Sequence, residues 1–271
     1  MNDSGSPITD QEFALFQRLI YQLAGISLSN AKRVLLVGRL GRRLKHHGFD
    51  TYTQYYRLLA SGEQPDELQQ MIDLLTTNET YFFREPQHFD FLRDVALKER
   101  GGRGPFRIWS GASSSGEEAY SMAMVLAEHR SDGPWEVFGS DISLTVLARA
   151  QSGVYTQDRI SGIPPAYLRK YCLKGVRSQE GKLLIDSCLK QRVNFAQVNL
   201  TRPITGVGDF DVIFLRNVMI YFDTETKRQV VEHMLPHLKA GGYFVVGHSE
   251  SLNGITNRLQ TVRPTIYRMG S

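Results

Sequence analysis

The chain has 271 residues, of which 41% are hydrophobic and 22% charged, a composition typical of a globular protein with one large domain or two unequal ones. No apolar run approaches the ~20 residues of a membrane span, and the N-terminal sequence lacks the features of a secretory signal. We therefore expect a cytoplasmic protein that is not integral to a membrane. With no sign of export, Cys172 and Cys188 are expected to be free thiols rather than a disulfide. They show no ligand-like spacing, so no metal site is predicted.

Residues 1–77 are predicted to form a small all-helical domain. Apolar residues recur at helical spacing from Phe13 to Leu23. Two further helices are expected at about Tyr52–Ser61 and Gln64–Leu75. No strand pattern interrupts this region.

The helix expected between Ser29 and His47 has a cationic face. Its apolar residues share one side, and the cations that fall largely on the other side are Arg39, Arg42, Arg43 and Lys45. A charged face is usually only solvated, but solvated helices mix charges, and the span from Phe13 to Phe49 contains no acid. We interpret the four cations as a partner-binding face for nucleic-acid phosphates, anionic lipid or an acidic protein. The absence of interleaved aromatic residues counts against single-stranded nucleic acid.

The segment that follows, residues 78–86, breaks the helical pattern. An amide, a hydroxyl and a guanidinium, at Asn78, Thr80 and Arg84, are spaced so that they could converge on one pocket. The alternative is an ordinary linker whose aromatic residues pack and whose polar groups cap the next helix. In that helix, His88 is expected to be a surface or core histidine, because no second metal-type ligand stands at a matching spacing.

From Phe106 onward, strand and helix patterns alternate, which predicts an α/β domain with a mostly parallel sheet covered on both faces. The expected strands are Phe106–Ser110, Trp135–Ser140, Arg192–Gln197, Asp211–Leu215, Tyr243–Val246 and Thr265–Met269. The expected helices are Glu117–His129, Leu144–Ser152 and Thr224–Leu238. A small antiparallel β insert, at about residues 171–186, interrupts the alternation, and such inserts often carry partner recognition.

The first strand leads through a loop of small residues into a helix, over Ile108–Glu118. This layout brings backbone N–H groups close to a ligand at a helix N-terminus. The acids at its end argue against a phosphate and favour a ligand with hydroxyls or positive charge, such as a nucleoside that bears an amino acid. The alternative is an ordinary tight turn between strand and helix.

Other polar residues follow the ends of later strands, where α/β folds bind ligands. Asp141 ends the second strand, where a ribose diol is commonly held, although it could instead cap the next helix. The residues that follow the third and fourth strands are Asn199, Leu200, Arg216, Asn217 and Tyr221. His248 and Glu250 follow a later strand and are further catalytic candidates, although no matching nucleophile accompanies them.

Several segments together carry a likeness to one family. They are Asn78-Glu-Thr-Tyr-Phe-Phe-Arg84, Ser113-Ser-Ser-Gly-Glu-Glu118 with Tyr120-Ser-Met-Ala123, Gly139-Ser-Asp-Ile142, Arg216-Asn-Val-Met-Ile-Tyr-Phe222, Lys239-Ala-Gly-Gly-Tyr-Phe244 and His248-Ser-Glu-Ser251. In kind and order they resemble the signatures of the chemotaxis receptor methyltransferases, the CheR-type protein-glutamate O-methyltransferases. The likeness covers nearly the whole chain. Ala119 is a small departure, because the family often has proline there.

The resemblance implies a reaction, a cofactor and a set of site residues. S-adenosylmethionine would donate a methyl group to glutamate side chains of methyl-accepting chemoreceptors, giving glutamate methyl esters and S-adenosylhomocysteine for signal adaptation. The implied cofactor contacts are Asn78, Thr80, Arg84, Glu117, Asp141, Asn199, Leu200, Arg216 and Asn217. Arg84 and Tyr221 would lie nearest the methyl transfer, and Glu118 remains an alternative to Glu117.

The resemblance also implies a domain organisation and a partner. The helical domain, 1–77, would lie against the cytoplasmic helices of transmembrane receptors and bring the protein to membrane receptor arrays. A linker, 78–86, would contribute to the cofactor site, and a Rossmann-like methyltransferase domain, 87–271, would follow. Whether the β insert tethers a receptor tail is left open.

The residue types agree with this reaction. A glutamate carboxylate has a pKa near ~4.3 and is ionised at neutral pH, so no general base is needed. Arg84 is assigned a positioning role. Tyr221 would line the site and could hydrogen-bond to one oxygen of the substrate carboxylate. The competing functions are an RNA or other protein methyltransferase that uses the basic head, and a non-catalytic cofactor-binding module; no nucleic-acid partner is expected.

Overall fold

The computed structural model describes residues 7–100, 104–131 and 133–270, which form two compact units. One unit contains the chain up to Thr77 together with Tyr221–Thr226, and the other contains Asn78–Ile220 and the chain from Lys227 onward. The first is all-helical and the second is α/β, which confirms the predicted fold class. Among the described residues, no helix has both the length and the apolar character needed to cross a bilayer.

The helical unit is built from short amphipathic helices. They are α1 (Asp10–Ala24), α2 (Arg33–His47), α3 (Tyr52–Ala60) and α4 (Pro65–Leu75), with a 3₁₀ turn, Asn30–Lys32, before α2. Helix α1 begins with a capping box, in which Thr9 and Glu12 each accept the other's backbone N–H. It ends at Gly25, whose φ of 69° is left-handed and suits glycine.

A buried ion pair holds three of these helices together. Glu67, in α4, is only 7% exposed and accepts hydrogen bonds from the Arg43 guanidinium of α2 and, at 2.7 Å, from the Tyr55 hydroxyl of α3.

Arg39 likewise donates to the backbone carbonyls of Leu74 and Thr76, at 2.9 and 2.8 Å, and so satisfies the end of α4. Two of the four cations predicted to face a partner are therefore engaged in the fold of their own unit.

The segment Tyr221–Thr226 belongs to the helical unit by its contacts. The backbone N–H of Ser27 donates to the carbonyl of Tyr221 at 2.9 Å, and the Tyr21 hydroxyl donates to Asp223 at 2.8 Å. The α/β sequence thus returns a short piece of chain to the helical unit, an arrangement that the sequence did not predict.

The α/β unit is organised around one seven-stranded sheet in the order β6-β2-β1-β7-β8-β10-β9. Its strands are β1 (Phe106–Ser110), β2 (Trp135–Asp141), β6 (Val193–Gln197), β7 (Phe210–Leu215), β8 (Leu238–Val246), β9 (Leu259–Arg263) and β10 (Ile266–Met269). Strands β6, β2, β1, β7 and β8 are parallel, and β10 pairs antiparallel with β8 and β9. The predicted parallel sheet is confirmed.

Helices cover this sheet. They are α5 (Gln87–Phe91), which continues through a π-helical turn (Leu92–Ala96) into α6 (Leu97–Arg100), then α7 (Glu117–His129), α8 (Leu144–Ser152), α9 (Pro165–Tyr171), α10 (Ser187–Lys190) and α11 (Thr224–Met234). Because both sheet faces are covered, every residue of β7 is buried. The helix predicted to run to Leu238 ends at Met234, since Pro236 cannot continue it, and Leu238 already begins β8.

A separate three-stranded antiparallel sheet, in the order β3-β5-β4, forms the insert. Its strands are β3 (Val154–Thr156), β4 (Cys172–Lys174) and β5 (Lys182–Ile185). The predicted hairpin corresponds to β4 and β5, whereas β3 was missed. A strand of three residues is too short for an alternating pattern to distinguish it from a loop.

The Glu67 ion pair should make the helical unit sensitive to acid. Burial alone would raise the pKa of Glu67, but hydrogen bonds from Arg43, Tyr55 and His47 outweigh it and lower the pKa to about 2. Because the folded pKa lies below the unfolded value of ~4.3, the stabilisation is complete above about pH 5 and is lost as the pH falls toward 2. Glu67→Gln should therefore lower the free energy of local unfolding at pH 7 by roughly 3 kcal/mol.

Hydrogen exchange of the α2–α4 amides in the full chain, read by mass spectrometry at pH 7 and in acid, measures this difference. Glu63→Gln is the matched control, because Glu63 is an exposed acid in the same unit. Equal protection of the Glu67→Gln protein and the wild type at pH 7 would contradict the assignment.

Candidate active site

The loop after β1 is held against the neighbouring strand by its own backbone. The N–H of Ser113 donates to the carbonyl of Ser140 at 2.8 Å, and the N–H of Ser114 donates to the Asp141 carboxylate at 2.9 Å. Gly116, at the start of α7, has a φ of 94°, and a Cβ there would lie 2.8 Å from the Cβ of Ala150. Only glycine fits this close approach at position 116.

Asp141 holds the loop rather than capping the next helix. Its carboxylate accepts the N–H groups of Ser114 and, at 3.0 Å, of Ser143. Ser143 is the N-cap of α8, where its side chain accepts the N–H of Val146. The N-cap alternative for Asp141 is therefore wrong, and its anion stays at the carboxyl end of β2, only 7% exposed.

The two acids that begin α7 have different surroundings. Glu117 is fully buried, accepts a hydrogen bond from the Ser115 hydroxyl at 2.7 Å and lies 3.0 Å from the guanidinium of Arg159. Burial raises the pKa of Glu117. Glu118 instead accepts from the Ser110 hydroxyl and from Arg216, both at 2.7 Å. Arg159 was missed by sequence reasoning, because nothing in its neighbourhood distinguishes it from a surface arginine.

Arg216, directly after β7, contacts Glu118, Glu85 and the carbonyl of Arg84, and together these groups form the Arg216 junction. Its side chain is 1% exposed. One Nη donates to Glu118, and the other donates to the carbonyl of Arg84 at 2.5 Å and lies 3.0 Å from the carboxylate of Glu85. Arg216 thus connects β7, the start of α7 and the segment 78–86.

The segment 78–86 is packed into the α/β unit rather than forming a loose linker. The carbonyl of Asn78 accepts the Ser114 hydroxyl at 2.9 Å, and that of Thr80 accepts Arg159 at 3.1 Å. The Arg84 guanidinium lies over the ring of Tyr81 and donates to the carbonyl of Glu79 at 3.0 Å.

Two residues of this segment are conformationally strained. Phe83 and Glu85 have φ values of 55° and 58°, in the left-handed region that non-glycine residues avoid. Such conformations cost about 1–3 kcal/mol each and persist where the surroundings enforce them. Here the buried Phe82 and the bond from the Phe83 N–H to the Ser121 hydroxyl, at 3.0 Å, provide that support.

Glu250 organises the loop after β7. Its carboxylate accepts the backbone N–H groups of Asn217, Met219 and Gly247, at 2.7, 2.8 and 2.8 Å. Burial raises the pKa of Glu250, while these hydrogen bonds oppose the rise. Both carboxylate oxygens are engaged, so Glu250 holds Asn217, with its left-handed φ of 58°, rather than serving as a catalytic base.

The remaining predicted residues lie further along the sheet or in the other unit. Asn199 follows β6, and its side-chain oxygen accepts the N–H and the hydroxyl of Thr201 at 3.1 and 2.8 Å. Leu200 is buried, with its carbonyl 3.1 Å from a ring nitrogen of His233. Tyr221 belongs to the helical unit, and its catalytic role stays a prediction.

The buried polar groups and acids of the site suit the charge and hydrogen-bonding groups of S-adenosylmethionine. The Ser113 hydroxyl is buried and has no hydrogen-bond partner within the described part of the chain, whereas the Glu117 oxygen that makes no hydrogen bond there is paired with Arg159 at 3.0 Å. Leaving such a hydroxyl unsatisfied costs about 1–3 kcal/mol, so a ligand with hydroxyl and ammonium groups suits this position. The acids Glu117 and Asp141 match those groups in charge.

Comparisons with known proteins identify the family of the chain. The family model described as CheR methyltransferase, SAM binding domain, matches residues 78–268, and the one described as CheR methyltransferase, all-alpha domain, matches residues 11–76. The chemotaxis protein methyltransferase of Escherichia coli K12 is 40% identical over 265 residues, which cover 97% of this chain and 92% of that protein. Chemotaxis protein methyltransferase 2 of Pseudomonas aeruginosa is 37% identical over 262 residues, covering 96% and 93%.

A third relative shows a similar extent of likeness. The chemotaxis protein methyltransferase of Borreliella burgdorferi is 36% identical over 272 residues, which cover 96% of this chain and 95% of that protein. The two family models together match residues in both units. S-adenosylmethionine is the cofactor, and the chain is an enzyme that belongs to the CheR family of S-adenosylmethionine-dependent methyltransferases.

Proposed function

We propose that this enzyme methylates glutamate side-chain carboxylates of methyl-accepting chemoreceptors, producing glutamate methyl esters and S-adenosylhomocysteine. The observation that carries the proposal is the Arg216 junction, because it connects three of the segments on which the family likeness rests. The names of the relatives support the chemotaxis role.

The chemistry requires positioning more than proton transfer. S-adenosylmethionine supplies an electrophilic methyl group, and the substrate carboxylate oxygen bonds to it as the carbon–sulfur bond breaks and its electron pair stays on sulfur. The nucleophile is already an anion at neutral pH. The acids around Arg216 are engaged in hydrogen bonds, which agrees with a reaction that needs no general base. Orientation of two reactants can contribute roughly 7–11 kcal/mol.

The proposed cofactor contacts follow the residues carried over from the family. They are Asn78, Thr80, Arg84, Glu117, Asp141, Asn199, Leu200, Arg216 and Asn217. Asp141 suits the ribose hydroxyls, because it is an anion at the end of β2. Glu117 is preferred to Glu118, following the family likeness, although each acid is paired with an arginine, Glu117 with Arg159 and Glu118 with Arg216.

Arg84 is proposed as the residue that orients the substrate carboxylate. Its half-buried guanidinium is fixed at one end by the carbonyl of Glu79 and rests on the Tyr81 ring. Tyr221 is proposed as a second group near the methyl transfer, on the basis of the family likeness alone.

The helical unit is proposed to bind the cytoplasmic helices of transmembrane chemoreceptors, which would place the enzyme in the cytoplasm and at receptor arrays. The exposed cations of α2 are Arg42 and Lys45, and receptor acids suit them. An RNA substrate is less well supported, because the names of the relatives point to a chemotaxis role.

The function is tested by incubating the enzyme with receptor-bearing membranes and S-adenosylmethionine labelled with tritium in its methyl group. Label should appear on protein and be released by mild base, as an ester requires. Membranes without receptors are the control. Label that is stable to base, or that is found on RNA, would refute receptor glutamate methylation.

Substitutions should separate chemistry from cofactor binding. Arg84→Ala and Tyr221→Phe should lower kcat, with about a 100-fold loss for Arg84→Ala because misplaced reactants forfeit orientation. Asp141→Ala should instead raise the Kd for S-adenosylhomocysteine about 10–100-fold, since it removes bonds to a charged acceptor. Asp209→Ala, at an exposed acid of the same unit, is the control. Unchanged kcat in both Arg84→Ala and Tyr221→Phe would disprove their roles.

Glu250 should act through the loop that it holds. Glu250→Gln places an amide NH₂ against backbone N–H groups, so we expect about a 10-fold weaker affinity for S-adenosylhomocysteine and faster hydrogen exchange at residues 217–220. The matched control is Glu232→Gln, because Glu232 is a half-exposed acid paired with Arg258. If calorimetry and exchange find Glu250→Gln equal to the control, Glu250 has no positioning role.

A further inference from the structure

Three metal-type side chains meet beside the Arg216 junction, although nothing in their sequence spacing groups them. They are Glu85, His88 in α5, and His248 after β8, and one ligand atom of each lies within 4.8 Å of the others. Nδ1 of His88 lies 3.4 Å from a carboxylate oxygen of Glu85, and Nε2 of His248 lies 3.8 Å from the same oxygen. All three belong to the α/β unit.

The buried histidine presents a lone pair to this cluster. His88 is 2% exposed, and its Nε2 lies 2.9 Å from the hydroxyl of Thr265. That hydroxyl donates its own hydrogen to the carbonyl of Pro264 at 2.6 Å, so it accepts from His88, and the proton is assigned to Nε2. Nδ1 is then an acceptor, and it has no hydrogen-bond partner among the described residues.

Nδ1 of His88 therefore faces the carboxylate of Glu85, which is also an acceptor. Two acceptors at 3.4 Å repel each other unless a cation lies between them. A buried acceptor without a partner is also destabilising. A positive ion between the two acceptors would remove both penalties.

The distances suit zinc. Zn²⁺ binds histidine nitrogen and carboxylate oxygen at about 2.0–2.2 Å in tetrahedral geometry, which separates its ligand atoms by roughly 3.3–3.6 Å. Two of the separations, 3.4 and 3.8 Å, are close to this range. The His248 side chain is 45% exposed, so it can move closer to the other two ligands. The same exposure gives an ion an entry path.

Hydrogen bonds to neighbouring groups orient two of the ligands, as in known metal sites. Thr265 orients His88 through its other ring nitrogen, and such support of a ligating histidine sets its tautomer. The amide of Asn217 and the backbone N–H of His248 orient the two oxygens of Glu85, at 3.2 and 3.1 Å.

Arg216 competes with a metal for Glu85, because its guanidinium lies 3.0 Å from the same Glu85 oxygen. It does not depend on Glu85 alone, since it also bonds to Glu118 at 2.7 Å and to the carbonyl of Arg84. A metal can therefore take over Glu85 while Arg216 stays neutralised.

We propose that Glu85, His88 and His248 form a binding site for a divalent transition metal of the Zn²⁺ type, with a position left open for water or another ligand. Two histidines and one glutamate match the ligand set of zinc sites that keep an open position.

The test uses the full-length, untagged protein after chelator treatment. Zn²⁺ alone is titrated by calorimetry, and Co²⁺ is followed by visible absorption. One equivalent should bind, with Co²⁺ bands of tetrahedral type and without the thiolate charge-transfer bands that Cys172 or Cys188 would give. His248→Ala should lower the affinity at least about 10-fold, and it should fold normally because its ring is half-exposed.

Two control variants exclude adventitious binding. His46→Ala removes an exposed ring beside His47, and Cys188→Ser removes an exposed thiol, and neither should change the affinity. A Glu85→Gln protein, with its fold checked by circular dichroism, should bind weakly like His248→Ala. Absence of binding to the wild type, or affinity retained in His248→Ala, or affinity lost in either control, would overturn the proposal.

Discussion

The buried positive charge of Arg216 is the constraint on which the rest of the site depends. A guanidinium with 1% exposure is tolerated only if anions and carbonyls surround it. Glu118 comes from the start of α7, whereas Glu85 and the Arg84 carbonyl come from the strained segment that enters the α/β unit. Because removing one partner of a buried pair costs about 3–5 kcal/mol, the charge keeps these separate pieces of chain together.

Backbone strain is concentrated around the same junction. Ser114, Phe83, Glu85 and Asn217 all have left-handed φ values without being glycine. Acceptors on neighbouring elements compensate, since Asp141 binds the N–H of Ser114 and Glu250 binds that of Asn217. Asp141 and Glu250 therefore hold backbone in place, whereas Glu117 and Glu118 pair with arginines. This arrangement is consistent with a methyl transfer that depends on orientation and needs no base.

Burial and charge beside the Arg216 junction also explain why the pKa of His88 is low. Burial and the nearby charge of Arg216 lower the pKa of His88 to about 4, whereas Arg216 lowers the pKa of Glu85 against the effect of burial. At neutral pH the pair is thus a neutral imidazole and a carboxylate, and His88 itself adds no charge to balance Glu85. Arg216 provides that balance on one side of Glu85, and the proposed metal would provide it on the other.

The sequence by itself determined the fold class, most elements of the main sheet and the family. Strand and helix periodicity is local, so β1, α7 and α8 were predicted with their observed bounds. The order of the motifs was enough to identify the family. The short strand β3 and the exposed edge strand β9 were missed, because three residues or an unburied strand carry too little apolar pattern.

Only the tertiary structure decided which partner each polar side chain takes. It showed that Arg39 and Arg43 bond to groups of their own unit and that Glu117 and Glu118 pair with different arginines. It showed that Asp141 holds a loop rather than capping a helix. It also brought Glu85, His88 and His248 together. The physical reason is that hydrogen bonds and ion pairs depend on distances in space, and these join residues whose separation in the sequence carries no periodic signal.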